Sequence, residues 1–394
     1  MKYDFDRVRD RRASESLKWN YAERVLKASD VIPMWVADMD FEAPPAVVEA
    51  VKARAEHGIF GYPLIPRSFF EAAAGWLETR HGWRVEPGWM TAAPGIVPAL
   101  HLAVRALAGP GEGVIIQTPV YRPFFQAVNL NGRRLVRNPL RFEAGAWRMD
   151  LDDLKKKAGP GARLLILCSP HNPVGRVWTR QELEALGRVV VERDLIVVSD
   201  EIHHDFVFGG RRHVPFASLS EELASRTLTC VAPNKTFNLA GLATGIVLSS
   251  NSELLARFSE EHDRAGLGVI NVFGIAALEA AYRHGADWLD ELLAYLEANM
   301  SFAADFVRRQ APGLEFIVPE GTYLGLLDCR GLGLAQQELY DFFLRKAGVL
   351  FEPGTTYGEE LQGYERVNLA CPRAVLAEAL GRVARAAREL KSGR

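Results

Sequence analysis

The stretch RLLILCSPHNPVGRVWTRQELEALGRVVVERDLIVVSD, residues 163–200, decides the fold. It opens on RLLILC (163–168) and closes on LIVVSD (195–200), two short apolar runs with no polar alternation. A strand of that kind is buried on both faces. Between the runs, Thr179 is placed to cap a helix and Glu182 sits three residues later. Leu183, Leu186, Val189 and Val190 then repeat on one face, so 179–194 reads as an amphipathic helix. Strand, helix, strand at this spacing is a parallel crossover.

Further strand-like runs flank this unit: GVIIQ (113–117), TLTCVA (227–232) and TGIVLS (244–249). The expected core is therefore an α/β unit whose mostly parallel sheet is covered by helices. The last third reads differently. A long helix starts near Trp288, then come strand-like LEFIVP (314–319) and TYLGLLD (322–328), a helix near 335–346, the strand RVNLA (366–370) and a final helix from about 374. That is a smaller α+β unit. The expected division is a large unit over 45–285 and a small one from 1–44 with 286–394.

With 394 residues, 48% of them hydrophobic and 24% charged, the chain can bury a large core without staples. A formal charge of −2 argues against a nucleic-acid surface. Cys168, Cys230, Cys329 and Cys371 form no C-x-x-C pair and are expected as reduced core thiols. The polar start MKYDFDRVRDRR has no signal-peptide core, and no run of 18 apolar residues follows. The expected location is the cytoplasm, with no membrane contact.

In parallel α/β sheets, ligands gather beyond the carboxyl ends of the strands. Three such ends carry chemistry. Asn172, before Pro173, is either a turn residue or an amide aimed out of the sheet. Asp200 is either a helix cap or a buried carboxylate that holds a cation. Lys235, in TLTCVAPNK, follows a third run. His203 and His204 beside Asp200 suggest a metal by composition, but adjacent residues point to different faces, so no metal is expected. An amide, a carboxylate and a lysine at one sheet end suit pyridoxal 5′-phosphate. The lysine takes the aldehyde, the carboxylate keeps the ring nitrogen protonated, and the amide bonds the ring oxygen.

The sequence resembles the fold-type I pyridoxal-phosphate enzymes of the aminotransferase class I/II superfamily. More narrowly, it resembles the MalY/PatB-type carbon–sulfur β-lyases, the cystathionine β-lyase group. The stretches that carry the resemblance run through most of the chain: MWVADMDF (34–41), GYPLIPRSFFEAAAGWLETRHGW (61–83), PGIVPAL (94–100), VIIQTPVYRPF (114–124), CSPHNPVGRVWT (168–179), VVSDEIHHDF (197–206), PNKTFNLAGL (233–242), PEGTYL (319–324) and RVNLACPR (366–373).

The resemblance implies a role for each matched residue. Lys235 matches the lysine that binds the cofactor aldehyde and removes the substrate's Cα proton. Asp200 matches the partner of the ring nitrogen, Asn172 and His203 the donors to the ring oxygen, and Tyr121 the aromatic that stacks on the ring. Ile96 and Val97 match backbone donors to the phosphate at a helix start. Tyr62 matches a tyrosine that serves the neighbouring subunit's site, which implies a homodimer with shared active sites. Arg373 matches the clamp on the substrate α-carboxylate, and Ala37 lies where the backbone approaches that group. Tyr323 and Tyr357 are candidate pocket residues.

Two positions depart from the family pattern. Asn234 stands where a serine near the phosphate is usual, and Ala243 stands where many aminotransferases carry an arginine. The second departure favours the lyase group. The implied reaction cleaves cystathionine or another S-substituted cysteine to pyruvate, ammonia and a thiol. An aminotransferase is the nearest rival. A regulatory protein on the same fold is a more distant one, because only about 30 residues precede MWVADMDF.

Overall fold

The computed structural model describes residues 2–392. The chain forms two compact units, one of Ala43–His171 with Arg176–Leu289 and one of Met1–Glu42, Asn172–Gly175 and Asp290–Arg394.

The larger unit is built on a seven-stranded sheet. In chain order its strands are β1 (Met90–Ala93), β2 (Gly113–Ile116), β3 (Arg134–Arg137), β4 (Leu164–Cys168), β5 (Ile196–Asp200), β6 (Thr227–Val231) and β7 (Gly245–Leu248). The spatial order is β1-β7-β6-β5-β4-β2-β3. From β3 to β6 every pairing is parallel, whereas β7 runs antiparallel to both β6 and β1. The carboxyl ends of β1 to β6 therefore share one edge. The strand predicted at 244–249 is present but reversed, and the sheet is mixed.

β4, β5 and β6 are buried along nearly their whole length, as their unbroken apolar runs require. The helix between β4 and β5 spans Arg180–Glu192. Thr179 Oγ1 accepts from Glu182 N at 3.2 Å, and the Glu182 carboxylate accepts from Thr179 N at 2.9 Å. Both halves of the capping box are thus made, which satisfies two otherwise orphaned donors.

The smaller unit has a four-stranded antiparallel sheet. Its strands are β8 (Glu315–Ile317), β9 (Leu324–Asp328), β10 (Glu352–Pro353) and β11 (Tyr364–Asn368), in the order β8-β9-β11-β10. The helix Ala286–Gln310 contributes its residues from Asp290 onward, and the chain's last helix spans Arg373–Ser392. The turn Asn172–Gly175 belongs to this unit by its contacts. Glu320 N and Gly321 N donate to Gly175 O at 2.8 and 2.9 Å. Gly175 has φ +69°, and a Cβ there would fall 2.5 Å from Pro319 Cβ, so this close approach demands glycine.

All four cysteines are buried, and none is in a disulfide. Among the described residues no helix is long and apolar enough to cross a membrane.

Candidate active site

In the larger unit, the site residues lie on the segments that leave the shared carboxyl edge. Asp200 ends β5, in register with Cys168 of β4 and Cys230 of β6. It is buried, and its Oδ1 accepts from Ile202 N at 3.1 Å. Burial pushes its pKa up to about 7, and the charge of Glu201 adds to the rise. The Ile202 N–H and the positive charge of Lys235 oppose it without cancelling it. A carboxylate so placed gains most from a second cation.

Lys235 lies in the single helical turn Pro233–Thr236 that follows β6. Pro233 starts the turn with a preset φ, and its carbonyl accepts from Phe237 N at 2.9 Å. Thr236 Oγ1 donates to Asp205 Oδ2 at 2.6 Å, which ties the turn to a buried carboxylate. Asn234 is buried beside Lys235, and its Oδ1 has no hydrogen-bond partner among the described residues. Its carboxamide can turn over to present donors instead. His203 is buried, three residues past Asp200.

An uncapped helix start follows β1. The helix Ile96–Leu107 starts at Gly95, with no side-chain cap and no acidic residue in its first turn. The N–H groups of Ile96 and Val97 are therefore first-turn donors at a positive dipole end. Gly95 has φ +117°, which a side chain would resist. Opposite it, a Cβ on Gly245 would fall 2.9 Å from Ile96 Cδ1 and 3.5 Å from the Gly95 backbone. Tyr121, half-buried, precedes the helix Arg122–Asn129 and packs on the main core. Tyr62 is 93% exposed, in a run with exposed Ile59, Phe60 and Leu64.

The smaller unit holds a second group of polar residues. Asn172 is buried, and its Oδ1 accepts from Arg366 Nη1 at 3.3 Å. Arg366, on β11, is only 3% exposed. Its Nη2 donates to Trp35 O at 2.6 Å, its guanidinium lies 4.9 Å from the Tyr357 ring centre, and its Nε has no hydrogen-bond partner among the described residues. Asn368 Nδ2 donates to Val36 O and Asp38 O, both at 2.7 Å. Tyr323 Oη donates to Ala37 O at 2.9 Å. The 35–38 backbone is thus pinned from β11 and β9. Buried Lys18 adds an ion pair to Asp40 at 2.7 Å, and Arg11 bonds both Asp38 and Asp40.

Arg373 is placed differently. Its Nε donates to Asn299 Oδ1 at 2.7 Å, its guanidinium lies 4.7 Å from the Phe302 ring centre, and its backbone N donates to Tyr295 Oη. Sequence reasoning passed over Arg366, although RVNLACPR contains both arginines. The available signal was a lone cation inside a strand-like run, since such a charge requires a partner once buried.

Residues 29–383 match the family described as aminotransferase class I and II. The chain belongs to that family. It is 44% identical over 381 residues to the cystathionine beta-lyase PatB of Bacillus subtilis, covering 96% of this chain and 98% of the relative. It is 34% identical over 393 residues to the protein MalY of Escherichia coli, covering 99% of this chain and all of the relative. Among solved structures, cystalysin of Treponema denticola, which contains pyridoxal 5′-phosphate, superposes with a TM-score of 0.95 at 35% identity, covering 99% of this chain and all of that one. In this chain Asp200 ends β5, and Lys235 follows the adjacent parallel strand β6.

Proposed function

We propose that this chain is a pyridoxal-phosphate-dependent carbon–sulfur β-lyase that cleaves cystathionine or a related S-substituted cysteine to pyruvate, ammonia and a thiol. The observation that carries the reading is the buried Asp200 carboxylate, which ends β5 next to the strand that leads to Lys235 and is pushed towards neutrality by its burial.

The residues present fit the cofactor. Asp200 supplies an anion for a protonated ring nitrogen, which converts its burial penalty into an ion pair. The uncapped start of Ile96–Leu107 supplies the N–H groups of Ile96 and Val97 to a phosphate. Asn234, with an unsatisfied carboxamide, adds a donor where serine is usual in the family. Tyr121 would pack against the ring, and His203 and Asn172 would be the donors to its oxygen. Bound there, the cofactor supplies an electron sink conjugated to the substrate's Cα.

Lys235 Nζ holds the cofactor's aldehyde carbon and, when free, accepts the Cα proton. Its amine must be neutral for that step, and a protonated ring nearby favours the neutral form. For the substrate α-carboxylate, Arg366 is the stronger candidate than Arg373. Its guanidinium is buried without an ion-pair partner among the described residues, keeps its Nε edge open, and is oriented by Asn172 and Trp35 O. Ala37 lies in the same pinned segment. Tyr62 serves a second copy of the chain. The exposed run from Ile59 to Leu64 around it supports a homodimer with shared sites. Four buried cysteines outside any disulfide support a reducing compartment, the cytoplasm.

The test is pyruvate and thiol release from cystathionine with no keto acid present. Strict dependence on a keto acid would instead identify an aminotransferase. A Lys235→Ala variant is expected to lose both turnover and the visible absorbance of the bound cofactor. Normal turnover in that variant would overturn the assignment.

A further inference from the structure

A cluster of imidazoles and carboxylates lies behind the Lys235 turn, outside the residues used above. His81 ends the helix Arg67–His81, and its Nε2 is 2.9 Å from Asp205 Oδ1. His204 Nε2 is 3.1 Å from Asp205 Oδ2. The His81 and His204 rings lie 4.5 Å apart, and one ligand atom from each of the three residues falls within 4.8 Å of the others. Their side chains are at most 5% exposed.

His204 is the telling residue. Both of its ring nitrogens are buried without a hydrogen-bond partner among the described residues. The ring therefore sits beside the Asp205 carboxylate without aiming an N–H at it. Leaving two buried nitrogens unsatisfied is costly, and an electrophile between the rings and the carboxylate removes that cost. His213 is not part of the set, because its Nε2 is engaged by Glu201 Oε2 at 2.7 Å.

We propose that His81, His204 and Asp205 bind a zinc ion as a structural site behind the Lys235 turn. Two imidazole nitrogens and one carboxylate oxygen suit zinc, with a water as the fourth ligand. Tetrahedral bonds of zinc to nitrogen and oxygen place ligand atoms about 3.3 Å apart. His81 Nε2 and His204 Nε2 approach different oxygens of Asp205, at 2.9 and 3.1 Å, so both imidazoles already face the one carboxylate.

The surroundings of Asp205 also suit a metal. The carboxylate already has outer donors that fix its orientation, Trp76 Nε1 at 3.2 Å to both oxygens and Thr236 Oγ1 at 2.6 Å. Through Thr236, metal binding would stiffen the turn that carries Lys235. Metal binding itself does not depend on the role proposed for Lys235, so the two can fail separately.

The experiment is metal analysis of the cofactor-loaded protein, stripped with a chelator and then titrated with zinc alone. About one tightly held zinc per chain is expected, with a rise in Tm on binding. His81→Asn and His204→Asn should each lose that zinc and the rise in Tm. Zinc content that is negligible in the wild type, or unchanged in both variants, overturns the proposal. If the variants do not fold, cobalt reconstitution of the wild type decides. The visible d–d absorption of a four-coordinate centre supports the site, and its absence overturns it.

Discussion

Replacing Arg366 and Arg373 one at a time separates the two candidates for the substrate's carboxylate. A guanidinium has five N–H donors, and Arg366 spends one on Trp35 O and one on Asn172 Oδ1. The remaining donors, Nε included, can grip a carboxylate through two parallel bonds. Arg366→Lys keeps the charge but removes the fork and both orienting bonds. Each charged hydrogen bond lost in a buried site costs about 1.5–3 kcal/mol. Losing the second bond of the fork, together with some misplacement, amounts to about 2–4 kcal/mol, or about 30- to 900-fold in kcat/KM.

Arg373→Lys should behave as a structural change. It gives up the bond to Asn299 and the contact over the Phe302 ring, worth about 1–2 kcal/mol of stability, with kcat/KM within about 3-fold of wild type. The assay is pyruvate release from cystathionine, with the cofactor spectrum recorded in parallel to show that both variants remain loaded. A decarboxylated analogue gives an internal control, since Arg366→Lys should not worsen its already poor turnover. An Arg366→Lys enzyme within 3-fold of wild type, beside an Arg373→Lys enzyme that loses over 30-fold, would refute the reasoning and restore Arg373.

The remaining predictions concern the larger unit. Asp200 has a folded pKa near 7 against about 4 in the unfolded chain. Between those values the folded state holds the extra proton, so the cofactor-free protein loses stability as pH rises from about 4 to about 7. Asp200→Asn removes that loss. The cofactor-free variant should exceed wild type at pH 8 by up to about 4 kcal/mol in urea melts, while the loaded enzyme loses most of its activity. A variant less stable than wild type at pH 8 would show that another group compensates the carboxylate. Asn234→Ser should bind the cofactor as tightly as wild type or more so, and a large rise in its dissociation constant would mean that Asn234 makes a contact serine cannot replace. Gly95→Ala forces a side chain into φ +117°, at about 1–3 kcal/mol, and should weaken cofactor binding about tenfold or more; unchanged affinity would remove the phosphate from this helix start.

What was legible in the sequence follows from what is local. The runs at β4, β5 and β6 are apolar on both faces because both faces are covered, so their composition alone announces buried strands. Their ends mark the sheet edge, which makes Asp200 and Lys235 readable as soon as the strands are. β1 and β3 escaped notice because Met90–Ala93 has small residues and Arg134–Arg137 holds only two apolar residues between two arginines, and neither forms a long apolar run. The reversal of β7 was illegible too, since an apolar run carries no sign of its direction.

Side-chain partners at long sequence separation were harder still. Arg366 is defined by Trp35, 331 residues away, and His204 by its proximity to His81. The adjacency of His203 and His204 argued against those two sharing a metal. It said nothing of a third histidine more than a hundred residues earlier in the chain. The same limit governs Arg373. Its engagement with Asn299 and Phe302 cannot be seen along the chain. A cation's function depends on which of its donors remain unspent, and that is settled by tertiary structure. For that reason the Arg366 and Arg373 pair, rather than the lysine, is where mutation can most sharply separate inference from resemblance.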